Sequence, residues 1–157
     1  MAAQTDPIYD LDTGAQGKGV GYLIDRARTE ILTAVDRELA QSPELAELEI
    51  TAAQYLILKS LAAGEAESTS QLCKQRLYDP GAMTRMVDRL EAKGLVRRTR
   101  CPNDRRVVNL ELTEEGRAAM PRMKVCAVKV VNRFLGGFSK DEVRQLEVFL
   151  TRLIQNA

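Results

Sequence analysis

Apolar positions along this chain recur at helical spacing in six stretches, interrupted once by a pair of short strands. From Val20, the residues Leu23, Ala27, Ile31, Val35 and Leu39 fall near one helix face and predict a helix to about residue 40, ended by Ser42 and Pro43. Thr51 and Gln54 have capping-box spacing, and Tyr55, Leu58, Leu61 and Ala62 carry a compact helix to Gly64. Ser68 with Gln71 repeats that spacing ahead of Leu72, Cys73 and Leu77. Asp79 then stands as N-cap with Pro80 at the first helical position, where a missing N–H costs nothing. Met83, Met86, Val87 and Leu90 follow at i, i+3, i+4 and i+7, which gathers them on one stripe, and Gly94 supplies the helix stop. After the strands, Thr113 caps a helix with Glu114 and Glu115 in its first turn, where carboxylates suit the macrodipole. Met120, Met123, Ala127, Val130 and Phe134 carry it to about residue 135, with Pro121 expected to kink it near its start. Gly136 and Gly137 stop it. Ser139 and Glu142 open a last helix in which Val143, Leu146, Leu150 and Leu153 are spaced 3, 4, 3, the pattern of a helix seam.

These elements predict a mainly α fold with a small β-hairpin. Two short helices joined through 78–80 read as a helix-turn-helix, and 95–100 with 106–112 read as paired strands around the turn 101–105, a wing. Opposite the apolar stripe of its second helix stand Gly81, Thr84, Arg85, Asp88 and Ala92, with Arg89 on the shoulder. That face is narrow and polar enough to enter a groove. Residues 1–17 show no period and are expected to form a mobile arm, with one domain over 18–157: the winged helix-turn-helix at 51–112, and helices at 18–45 and 113–157 outside it. The flanking helices carry more apolar surface than so small a module can cover. A two-fold dimer that interleaves them, with Val143, Leu146, Leu150 and Leu153 in its seam, is the expected solution.

Charge gives the module a role. Residues 68–112 hold ten Lys and Arg against five Asp and Glu, a net of +5, whereas the rest of the chain nets −4. Such concentration of positive charge is the footprint of phosphate binding. A helix lying in the major groove by its N-terminal half would bring Thr84 and Arg85 near base edges, with Gly81 permitting close approach and Arg89 at the backbone. A winged helix can also serve as a protein-interaction module, but docking faces of that kind are less basic and more aromatic at their centre. Catalysis has little to work with: the chain contains no His, no glycine-rich phosphate loop and no Cys/His set at zinc spacing, and no cofactor is implied. No apolar run reaches the roughly 18 residues of a membrane span, and the N-terminus lacks the features of a signal peptide, so the cytoplasm is expected. Three cysteines, at 73, 101 and 126, form no disulfide framework; Cys73 and Cys126 read as small core residues.

The run DPGAMTRMVDRLEAKGLVRR, followed by the wing tip NDRR, a hydrophobic strand and LTEEGR, resembles the MarR family of bacterial winged-helix transcription factors, and the likeness extends more loosely from about Gly19 to the C-terminus. The resemblance implies a cytoplasmic, homodimeric regulator of duplex DNA, commonly a repressor, acting on a pseudo-palindromic operator. It implies that Arg106 enters a minor groove and that Asp104 braces the wing by pairing with it, with Arg105 as the local rival. It further implies release from DNA by a small, often aromatic and anionic molecule in a crevice between the dimer helices and the winged helix, where Tyr22, Arg26, Arg28 and Tyr55 offer rings and cations. Some relatives sense oxidants through a thiol of the first helix; this chain has none there, and Cys101, among wing arginines, is the alternative redox candidate.

Overall fold

The computed structural model of the chain describes Tyr9 and residues 19–76, 78–100 and 108–156. The arm apart from Tyr9, the foot of the helix-turn-helix at Leu77 and the wing tip with Cys101, Asp104, Arg105 and Arg106 lie outside the described residues. In chain order come α1 (Val20–Gln41), a 3-10 turn (Ala46–Leu48), α2 (Ala52–Ala62), α3 (Thr69–Arg76), α4 (Pro80–Ala92), β1 (Val96–Arg100), β2 (Val108–Leu112), α5 (Glu114–Phe134) and α6 (Lys140–Gln155). This is the mainly α architecture with a β-hairpin that the pattern predicts.

Local chemistry sets the boundaries. Thr51 and Gln54 form a complete capping box at the start of α2, as Ser139 and Glu142 do at the start of α6. The Asp79 carboxylate accepts from the Ala82 N–H at 3.0 Å, with Pro80 behind it. Gly64 and Gly94, at φ +67° and +70°, supply the left-handed turns that end α2 and α4. At α3 the expected reciprocal box is altered: Ser68 Oγ accepts from the Gln71 N–H, but the Gln71 side chain reaches one residue further back, to the Glu67 N–H at 2.6 Å. The Glu67 carbonyl accepts from the Leu110 N–H at 2.8 Å, so the α2–α3 connection touches β2 beside the hairpin.

A single apolar core joins the elements. Leu39, Leu45, Ile57, Leu58, Leu72, Met83, Val87, Leu90, Leu95, Val96, Met123 and Val130 are all buried to within 2% of full exclusion, each contributing about 1.5–3 kcal/mol of burial. Met83, Val87 and Leu90 of α4 are therefore the stripe that faces inward. β1 and β2 pair antiparallel in the register Val96 to Leu112 and Arg100 to Val108. α1 and α5 pack against each other and share a Glu38–Lys129 ion pair at 2.6 Å, and Asp36 Oδ1 of α1 accepts from the Ala52 N–H at the start of α2. α5 runs on through Pro121 as one helix.

The apolar stripes of the terminal helices are only partly used. In α1 the buried residues are Ala34, Val35 and Leu39, whereas Leu23 at its other end is exposed. α6 buries nothing at all, and Leu146, Phe149, Leu150, Leu153 and Ile154 stand open on it.

Candidate nucleic-acid interface

Because α4 is fixed by its inner stripe, its outer stripe is fixed too. Gly81, Thr84, Arg85, Asp88 and Arg89 are all exposed. A Cβ at position 81 would lie 3.1 Å from Asp79 Oδ1 and 3.4 Å from a guanidinium nitrogen of Arg85, so Arg85 reaches back over the first turn close to the glycine. The Thr84 hydroxyl donates to the Pro80 carbonyl at 2.8 Å. Its proton is committed to the helix, and the residue offers a partner its methyl group and oxygen lone pairs.

The basic residues divide into two sets. Arg98 of β1 bonds both Glu91, through its backbone N–H and guanidinium, and Asp88 of α4 at 2.6 Å, and these carboxylates, Asp88 first, raise its pKa. Arg97 meets Glu111 across the hairpin at 2.7 Å; that hydrogen bond, with one from Thr99, holds the Glu111 carboxyl below the usual carboxylate range. Lys93 gives its ammonium to the carbonyls of Leu48 and of Glu49, the latter at 2.9 Å. These three cations build the module. Lys74, Arg85, Arg89 and Arg100 form no ion pair with another described residue.

The motif LTEEG has a structural task that its sequence does not announce. Thr113 Oγ1 accepts from the Gly116 N–H at 3.0 Å and donates to the Gly94 carbonyl at 2.6 Å, while the Thr113 N–H donates to the Leu95 carbonyl at 3.1 Å. Gly116 lies against that same carbonyl, 2.1 Å from where its own Cβ would be. The end of α4 is thus joined directly to the start of α5.

An open groove of about 640 Å³ runs between α1, α2 and α5. Its floor is apolar, with Ile31, Leu32, Val35, Tyr55, Ala127 and Val128, and two lysines, Lys59 and Lys124, stand on its walls. Burial pushes the Tyr55 phenol up. Of the four residues offered for a ligand, Tyr55 lines this groove; Tyr22, Arg26 and Arg28 lie on the exposed N-terminal part of α1, ahead of Ile31, and Arg26 is paired with Glu30 at 2.7 Å. Lys59 and Lys124 went unseen in the sequence because no spacing rule links positions on separate helices. Cys126 of α5 is buried and its thiol is pushed up, chiefly by desolvation and then by Glu38, which is the state of an inert core thiol. Among the described residues no cluster has the make-up of a metal site, and no helix is long and apolar enough to cross a membrane.

A helix-turn-helix with a hairpin wing, arginines without an ion pair among the described residues on the outer face of its second helix, and a basic module on a near-neutral chain define a winged-helix DNA-binding regulator. Residues 50–108 match the model of the MarR family. The repressor MdtR of Bacillus subtilis is 32% identical over 108 residues, 69% of this chain and 70% of that protein. MarR of Escherichia coli is 36% identical over 111 residues, 70% of this chain and 77% of that protein, and a mutant of it in complex with operator DNA superposes with a TM-score of 0.75 at 30% identity, over 92% of this chain and 99% of that one. A structure of Bordetella bronchiseptica BpsR, whose DNA binding is regulated by 6-hydroxynicotinic acid, gives a TM-score of 0.73 at 27% identity over 96% of this chain and 99% of that one. The chain belongs to the MarR family of transcriptional regulators.

Proposed function

We propose that the protein is a homodimeric repressor that reads a pseudo-palindromic operator with α4 and the wing, and is released from it by a small aromatic acid. The observation that carries the DNA reading is the outer face of α4: Gly81, Thr84 and Arg85 are exposed on a helix whose other face is locked in the core, and Arg85 and Arg89 have no ion pair among the described residues. Phosphate contacts by Arg89, Arg100 and Lys74 position the helix, and Arg85 meets a base edge, with guanine the partner its planar fork suits. Arg106, braced by Asp104, or else Arg105, reaches the minor groove beside each half-site.

The groove between α2 and α5 supports the effector. It pairs an apolar floor and a tyrosine ring with two ammonium groups, a lining suited to a flat ring bearing a carboxylate. BpsR, regulated by such an acid, is similar along nearly the whole chain. Homodimerisation rests on α6, which has a polar face, an open apolar face and no buried residue.

The test is a titration on duplexes selected by the protein from a randomised pool, at two salt concentrations. Steep loss of affinity with salt is expected, because several phosphates are neutralised. A protein that selects no sequence and shows no salt-dependent binding would be an interaction module instead. In the same assay Arg85→Ala should cost about 1–3 kcal/mol on the selected site and relax preference at one base pair per half-site. Arg106→Ala should weaken binding more when the flanks are A·T-rich than when they are G·C-rich, since a narrow minor groove concentrates negative potential. For the effector, 6-hydroxynicotinate and benzoate should raise the melting temperature of the free protein and weaken operator binding, and Lys59→Met with Lys124→Met should remove both effects. If neither acid shifts melting while peroxide abolishes DNA binding and Cys101→Ser restores it, the redox reading replaces the ligand.

A further inference from the structure

The residues that end α4 bond the segment leading into one wall of the groove and the start of another. Lys93, its C-cap, bonds the carbonyls of Leu48 and Glu49, the end and C-cap of the 3-10 turn that leads through Ile50 to the Thr51 cap of α2. The next two residues bond the start of α5: the Gly94 carbonyl accepts from Thr113 Oγ1 at 2.6 Å and the Leu95 carbonyl from the Thr113 N–H at 3.1 Å. α2 and α5 are the helices that face one another across the groove, through Tyr55, Lys59 and Ala63 on one side and Met120, Lys124 and Ala127 on the other. Three consecutive residues therefore link the turn that enters α2, through the Lys93 side chain, to the cap of α5, through two backbone carbonyls.

We propose that Lys93 and Thr113 are positioning residues for DNA reading, and that this bridge converts the spacing of α2 and α5 into the tilt of α4. Consecutive residues cannot follow two walls in different directions. When the walls part, the end of α4 turns to keep both joints, and its outer face leaves the alignment that meets the groove of DNA. A ligand alters DNA affinity only by favouring one wall spacing, and the bridge is where that preference becomes a geometric change. The neighbouring contacts are stiff: Gly116 sits against the Leu95 carbonyl without room for a Cβ, and the Asp36 carboxylate pins the first N–H of α2 at 2.6 Å. The proposal rests on the DNA reading given above and needs no particular effector.

A double-mutant cycle tests it without a ligand. Ala127→Trp fills the groove from α5 and stands in for an occupant; Ala63→Trp does so from the C-cap of α2 and serves if the first variant fails to melt cooperatively. Thr113→Asp keeps the helix cap, since a carboxylate accepts from the Gly116 N–H, but has no proton to donate to the Gly94 carbonyl. Thr113→Ser keeps both bonds. Affinity is measured on the duplex selected by the unmodified protein at one fixed salt. Filling the groove should weaken binding about tenfold or more in the unmodified and Thr113→Ser backgrounds, within the range usual for coupled sites, and less than about threefold in Thr113→Asp. A merely structural Thr113 would lower stability in Thr113→Asp yet leave the fold-loss from groove filling unchanged, and that outcome overturns the proposal. So does a folded groove-filled protein that binds as well as the unmodified one. Failure of the DNA reading itself is a separate result, seen as an unmodified protein that selects no duplex.

Discussion

Gly116→Ala is expected to destabilise the protein by roughly 3 kcal/mol, the upper end of overpacking costs. The added Cβ would stand 2.1 Å from the Leu95 carbonyl oxygen, a backbone atom that cannot swing aside as a side chain tip can. Relief requires α5 to back away from the end of α4. That movement stretches the bond from the Thr113 N–H to the same carbonyl, now 3.1 Å, and a buried carbonyl left without its donor costs about 1–3 kcal/mol more. Urea unfolding followed by circular dichroism measures the effect, and an unchanged midpoint would show that the junction is softer than its contacts indicate. Because the junction also sets α4, operator affinity should fall even under conditions where the variant remains folded.

The second large effect concerns α6. Leu146 and Leu150, 40% and 37% exposed in the single chain, lie on its open apolar face with Phe149, Leu153 and Ile154. If that face is the seam between two copies, Leu146→Asp with Leu150→Asp puts four carboxylates into one dimer interface, each costing several kcal/mol when desolvated without a partner. The expected result in light scattering is a dimer at micromolar concentration for the unmodified chain, and monomer or unfolded chain for the double variant. A monomeric unmodified chain would remove both the dimer and the palindromic operator from the proposed function.

The local devices of this fold were readable in the sequence because they act over three or four residues. The Asp79-Pro80 start of α4, the boxes at Thr51 and Ser139, and the stripe Met83, Val87, Leu90 all stand as the spacing predicts. Gly116 was not readable in that way, since its reason is a carbonyl at Leu95, in another element. Counting charge pointed to the module proposed to meet phosphate but overstated how much of that charge is free: Arg97, Arg98 and Lys93 serve the hairpin and the end of α4. The even apolar spacing of α1 likewise gave no sign that its two ends have different surroundings, Leu39 in the core and Leu23 open. Most of the groove was hidden for the same reason, as Lys59 and Lys124 come to line one groove only once α2 and α5 are packed.

Thr84 has given its only side-chain proton to the Pro80 carbonyl, so toward a base it brings carbon and lone pairs but no donor. If it faces thymine, its methyl meets the 5-methyl group that uracil lacks. Uracil in place of thymine, tested one position at a time through the selected duplex, would locate that contact as the step where affinity drops. Cytosine methylated at carbon 5 presents the same group at the same place in the groove, so the affinity of this regulator for a site with cytosine there would depend on the methylation state of the DNA.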